Sequence, residues 1–152
     1  MFFTLDKEKK VETLAIQAER RLAEAKSLLD KNLPIAAKAA VARYQDTYNL
    51  ALGKVSGLGS MSKKSTALEN LSNNTNFELR VVADLYDSAP NNVKEDIATL
   101  VAAVSKTKSE IVNTASSEIR AGIIKKIEDG REEILTENTS VKSILPVRVL
   151  PH

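Results

Sequence analysis

The chain predicts an all-α fold, an extended antiparallel helical bundle of 4–5 helices with a long C-terminal helix and an irregular tail. Three observations carry this. Apolar residues recur at alternating spacings of four and three in consecutive segments, the seam of helices packed nearly parallel to a partner. The 152 residues hold three Phe, three Tyr and no Trp, so Ala, Leu, Ile and Val must fill the core, which suits close-packed helices. Lys+Arg is 22 against Asp+Glu 20, and the two signs interleave along the chain as on solvated helix faces. The length predicts one domain, or at most two small ones, read as a bundle over 1–138 with an apolar tail or linker over 139–152.

The first helix runs from about Asp6 to Asn32. Its stripe is Val11, Ala15, Ala18, Leu22, Ala25 and Leu29, opposite Lys9, Glu12, Glu19, Arg20, Lys26 and Asp30. Thr4 or Asp6 is the expected N-cap, since a side-chain oxygen there accepts a free backbone N–H. Asn32 tolerates the left-handed conformation after a helix, and Pro34 suits the first turn of the next. The second helix then covers Pro34 to Val55, with Ala37, Val41, Tyr44, Tyr48, Ala51 and Val55 on its stripe. Two stripes joined by so short a turn make an antiparallel αα-hairpin.

Ser56 to Ser65 has no apolar period and reads as a loop or frayed continuation. The third helix spans roughly Thr66 to Ser88, with a kink or break expected in the run Ser72-Asn73-Asn74-Thr75-Asn76, whose side chains compete for backbone hydrogen bonds. After Ala89-Pro90, Asn91 or Asn92 caps a fourth helix, with Glu95 and Asp96 in its first turn. Val93, Ile97, Leu100, Val104, Ile111 and Ala115 form its stripe, and Ile119, Ile123, Ile127 and Ile134 continue it. The favoured reading is one long bent helix to about Glu137. The alternative begins a fifth helix near Ser116. Ser116-Ser117, Gly122 and Gly130 are the weak points.

Composition removes several function classes. With no cysteine, disulfides, thiolate metal sites and cysteine nucleophiles drop out. The one histidine is the last residue, His152, so neutral-pH acid–base chemistry lacks its usual agent. A net charge of +2 does not suit nucleic-acid binding. No apolar run is long enough to span a bilayer. The expectation is therefore no catalytic residue, no metal, no cofactor and no small-molecule substrate.

Each motif has a plainer reading. Gly57-Leu58-Gly59 with Lys63-Lys64-Ser65 lacks the phosphate-loop spacing and follows a helix rather than a strand. Glu128, Asp129, Glu132, Glu133 and Glu137 read as a solvated helix face, because no Glu-x-x-His is present and Lys125, Lys126 and Arg131 stand among them. Tyr44 and Tyr48 share a helix face and read as core, with their hydroxyls at its edge. Asn70, Asn73 and Asn138 begin glycosylation-like triplets, relevant only in a secreted setting. Beyond the helices, Ile144, Leu145, Val147, Val149 and Leu150 are too apolar for a solvated end. They pack on the bundle, pair with a partner or lead into a linker.

The block Phe2-Phe3-Thr4-Leu5-Asp6, with Lys9-Lys10 and Glu12, followed by Ala18-Glu19-Arg20-Arg21-Leu22-Ala23-Glu24-Ala25, resembles a microbial family of helical domains of unknown function. Ala42-Arg43-Tyr44, Leu79-Arg80-Val81-Val82 with Leu85, and Pro90 through Ser105-Lys106 extend the similarity over roughly residues 2–112. Lys7 stands where that family usually has proline, which loosens the helix start. The resemblance implies an exported or membrane-tethered setting, the anchor lying in a segment absent from this chain, with Met1 the mark of a shortened domain. That family has no known catalytic residues, so the resemblance carries none over to this chain.

The expected function is thus a non-catalytic structural or protein-interaction module, extracytoplasmic or at the cell surface, with the cytoplasm as the alternative. Two other readings stay open. One is a self-associating subunit that pairs through the C-terminal helix or tail. The other is an enzyme, or a helical ligand or metal sensor, that uses a cavity between helices with Tyr44, Tyr48 and Glu128–Glu137.

Overall fold

The computed structural model describes residues 2–137 and 144–145, with side chains from Lys7 onward. Five helices follow in order: α1 (Phe2–Asp30), α2 (Pro34–Ser56), α3 (Met61–Ser88), α4 (Asn91–Thr114) and α5 (Ser117–Glu137). No strand occurs among the described residues. α1 and α2 form the tightest pair, α3 packs on both α4 and α5, and α2 lies along α4. Every second helix runs the same way. Glu8 of α1 pairs with Lys63 of α3, and Arg80 of α3 pairs with Glu133 of α5, so these three are parallel.

Both heptad stripes point inward. Val11, Ala15, Ala18, Leu22, Ala25 and Leu29 are buried, as are Ala37, Val41, Tyr44, Tyr48, Ala51 and Val55. The turn between them works as its sequence predicts. Asn32 sits at φ 60°, the N–H of Asn32 bonds Leu29 O, and that of Leu33 bonds Leu28 O at 2.8 Å. This pattern satisfies the last carbonyls of α1. Pro34 then opens α2 behind Leu33.

Five local expectations are corrected. α1 starts at Phe2, upstream of Thr4 and Asp6, so neither is its N-cap. The loop before α3 shrinks to Gly57–Ser60, because the Ser60 side chain accepts from Lys63 N at 3.2 Å and starts the helix early. Leu58, 5% exposed, anchors that short link in the core. α3 is unbroken through Ser72–Asn76. Ser72 Oγ donates to Leu68 O and Thr75 Oγ1 to Ser72 O, back-bonds made inside the helix rather than against it. α4 begins at Asn91, preceded by Pro90 with no side-chain cap bond, which puts Glu95 and Asp96 beyond the first turn.

The fifth correction is the largest. The expected long helix is two helices. Ala115 turns extended at φ −69° and ψ 137°, and α5 restarts at Ser117. The carbonyl freed by the break is taken by Arg120, whose Nε and Nη2 donate to Ala115 O at 3.2 and 2.8 Å. The buried Ala115 pins the joint. Gly122 and Gly130 lie inside an uninterrupted α5.

Leu145, in the stretch read as tail, is 8% exposed and joins the core, with Ile144 packed against it. Val147, Val149 and Leu150 lie outside the described residues.

Candidate functional site: a buried carboxyl beside an open groove

The seam of this bundle is interrupted by polar residues. On α3 the apolar ladder Leu68, Leu71 and Val82 carries Thr75 and Glu78 in register, and on α4 Ile97, Leu100, Val104 and Ile111 carry Thr107 and Lys108. Thr75 is fully buried, and Glu78, Thr107 and Lys108 are each 3% exposed.

Glu78 is the centre. Tyr44 OH donates to its Oε1 at 3.1 Å and Tyr48 OH donates to the same oxygen at 3.4 Å. The two rings meet edge to face, centroids 5.3 Å apart, a favoured aromatic geometry. Glu78 Oε2 is buried and has no hydrogen-bond partner in the protein, and neither does Lys108 Nζ. Burial pushes the Glu78 carboxyl up to about 8. The tyrosine hydroxyls oppose that rise, Glu19 adds to it, and Lys108 opposes it. Burial pulls Lys108 down to about 7, with Glu128 opposing and Arg131 reinforcing. Both tyrosines are held well above their ordinary value, first by burial and then by Glu78. Both shifts run toward the uncharged form of each group, the direction a low-dielectric interior favours.

Glu78 also lines a groove. Ile16, Glu19, Leu22, Ala23, Phe77 and Val81 share with it a depression of about 370 Å³ between α1 and α3. Ile16 also lines a second depression of about 480 Å³ on the same seam, where Val11, Ala15, Leu58, Ala67 and Leu71 supply apolar walls. Ile16 is 50% and Phe77 61% exposed at the lip. The groove exists because α1 spends its stripe on α2 and meets α3 only loosely. Of the ionisable groups that line it, Glu78 is buried, Lys26 is half-buried, and Glu19 and Arg20 are exposed.

The acidic residues of α5 are placed differently. Asp129 pairs with Lys125 at 2.9 Å, Glu132 with Arg131 at 3.6 Å, and Arg80 reaches Glu133 at 2.7 Å and Glu137 at 3.7 Å. Only Glu128 turns toward the buried network, through Lys108. No group of three or more metal-ligating side chains gathers among the described residues, and no described helix is long and apolar enough to cross a membrane. The hydroxyls of the triplets begun by Asn70 and Asn73 belong to Ser72 and Thr75, buried inside α3, a poor acceptor setting.

Tyr44 and Tyr48 are thus brought together as core residues. Glu78, Thr107 and Lys108 escape a search for motifs. Their signal is a polar residue standing in register with an apolar ladder.

The family described as a domain of unknown function (DUF5667) matches residues 1–143, and the chain belongs to it. No curated protein and no solved structure matches the chain.

Proposed function

We propose that this member of the DUF5667 family is a non-catalytic protein-interaction module and that its working face is the groove between α1 and α3. The observation that supports this reading most is the pairing of an apolar floor with Ile16 and Phe77 left open at the lip. Adjoining apolar surface rimmed by charge marks recognition sites. The setting is extracytoplasmic, a reading that rests on the resemblance of the Phe2–Asp6 block and first helix.

A labelled helical peptide of about 19 residues, with leucines on one face and neutral polar residues elsewhere, tests the groove. Saturable binding is expected, with amide shifts at Ile16, Ala23, Phe77 and Val81. I16D and F77D should remove it while helical circular dichroism is retained. Binding that ignores both substitutions, or no binding, overturns the reading.

The self-assembly reading draws less support from the tail, since Ile144 and Leu145 are engaged within their own chain.

A further inference from the structure

This inference rests on the groove being a docking face and concerns what it takes. We propose that the occupant is an amphipathic partner helix carrying a lysine or arginine within its apolar stripe, seated so that the cation reaches the Glu78 carboxyl.

Backbone geometry argues for a helix. With no strand among the described residues, there is no sheet edge to extend. What is offered instead is two depressions in line between two parallel helices, meeting at Ile16 and together running from Glu8 to Lys26 along α1 and from Ser62 to Val81 along α3. At 1.5 Å per residue that is roughly 27 Å, five helical turns. Apolar troughs of this kind are read by residues at i, i+3/i+4 and i+7 of an entering helix.

Charge argues for the cation. Two acidic residues, Glu19 and Glu78, line one apolar stretch of the groove. Glu78 is 3% exposed and its Oε2 has no hydrogen-bond partner. Its other oxygen is already used by Tyr44 and Tyr48. A buried acceptor left open costs free energy, and a charge-assisted bond to an entering ammonium or guanidinium recovers it. The remaining groups that face Glu78 set the selectivity. α4 presents Lys108, backed by Glu128 and Arg131 of α5. Lys108 Nζ makes no hydrogen bond to Glu78, so Oε2 is not satisfied from within. Arg20 and Lys26 line the α1 side of the groove. They disfavour a second cation on that side and favour an acidic residue about one turn from the central base.

The test uses the whole chain and two probe peptides of about 19 residues. Both keep the leucine stripe, and the central stripe position is lysine in one and norleucine in the other. The lysine peptide is expected to bind roughly tenfold or more tighter at pH about 8.5. E78Q, which keeps an oxygen for the two tyrosines, should bring the two peptides level. Wild-type protein supplies a second readout that needs no variant. Pairing requires the carboxylate, whose proton is held up to about 8, so the lysine peptide should weaken below that pH, by up to about tenfold per unit. The norleucine peptide should not. Equal affinities and flat pH profiles in the wild type overturn this proposal and leave the groove reading standing. Failure of both peptides to bind removes the groove reading itself. A free protein that sediments as a dimer, with its groove closed to peptide until dissociated, makes a second copy the occupant and overturns the proposal as well.

Discussion

Tyr44 donates its hydroxyl to Glu78 Oε1 at 3.1 Å, which ties the middle of α2 to the middle of α3 inside the core. Tyr48 shares the acceptor at 3.4 Å, so one carboxyl oxygen serves two buried donors. The loss on substitution should be unequal. Tyr44→Phe removes one of two donors and should cost about 1 kcal/mol. Glu78→Ala strands both hydroxyls and opens a cavity, and should cost about 3 kcal/mol or more. Urea unfolding of the two variants checks the order. A Glu78→Ala cost no greater than that of Tyr44→Phe would show that the carboxyl holds nothing together.

The same network predicts an unusual pH profile of stability. The folded Glu78 is raised from 4.5 to about 8, so between those values the folded state keeps a proton that the unfolded chain has lost. Its contribution therefore falls as pH rises through that window. Lys108 is lowered from 10.5 to about 7, so the unfolded chain holds the extra proton there, and stability rises as pH climbs through that range. Together they place a minimum between about pH 7 and 8. Chemical denaturation at fixed ionic strength should show E78Q flattening the acid limb and K108M the alkaline limb. Superimposable wild-type and E78Q curves below pH about 8 would contradict the assignment.

Gly130 is buried where α5 crosses Asn76, and a Cβ there would fall on the Asn76 carboxamide. That carboxamide donates to Lys126 O at 3.1 Å and holds α3 to α5. Helix propensity alone would make Gly130→Ala stabilising by up to about 1 kcal/mol. Loss of the Asn76 bond should reverse the sign, giving a net cost of about 1 kcal/mol. In an Asn76→Ala background the methyl has room and the substitution should stabilise. A double-mutant cycle reads the coupling, expected at about 1 kcal/mol or more. Additive effects would mean that the two residues do not meet.

Asn32 occupies the left-handed region at φ 60° between α1 and α2. Asn32→Gly should hold or raise stability by a few tenths of a kcal/mol, and Asn32→Val should cost about 1–2 kcal/mol. Melting temperatures separated by a few degrees, glycine above valine, are the expected result. The reverse order would exclude this turn geometry.

The first hairpin was readable residue by residue. Every member of the Val11–Leu29 and Ala37–Val55 stripes is buried, and the turn residues Asn32 and Pro34 do what their backbone preferences dictate. Such features are local. Side-chain period, left-handed tolerance and a fixed proline φ are properties of neighbours along the chain. The continuity of α3 runs against the kink expected at Ser72–Asn76, and the break at Ala115–Ser116 follows the alternative of a fifth helix rather than the favoured long one. Short polar runs look alike in sequence. One is held inside a helix by back-bonds at Ser72 and Thr75, while the other is released where Arg120 donates to the freed carbonyl.

The candidate site was legible only in halves. Tyr44 and Tyr48 announce themselves through their spacing on one helix, yet their common acceptor lies 34 and 30 residues away. Periodicity alone thus determined which side chains would face inward and that the chain would be a helical bundle. Which inward residues meet, whether a carboxyl among them is left with an open oxygen, and whether two helices close up or leave a trough between them was decided by the packing of the whole bundle. The reason is physical: the pitch of a helix is set within a few residues, whereas the separation of two helices depends on every side chain wedged between them.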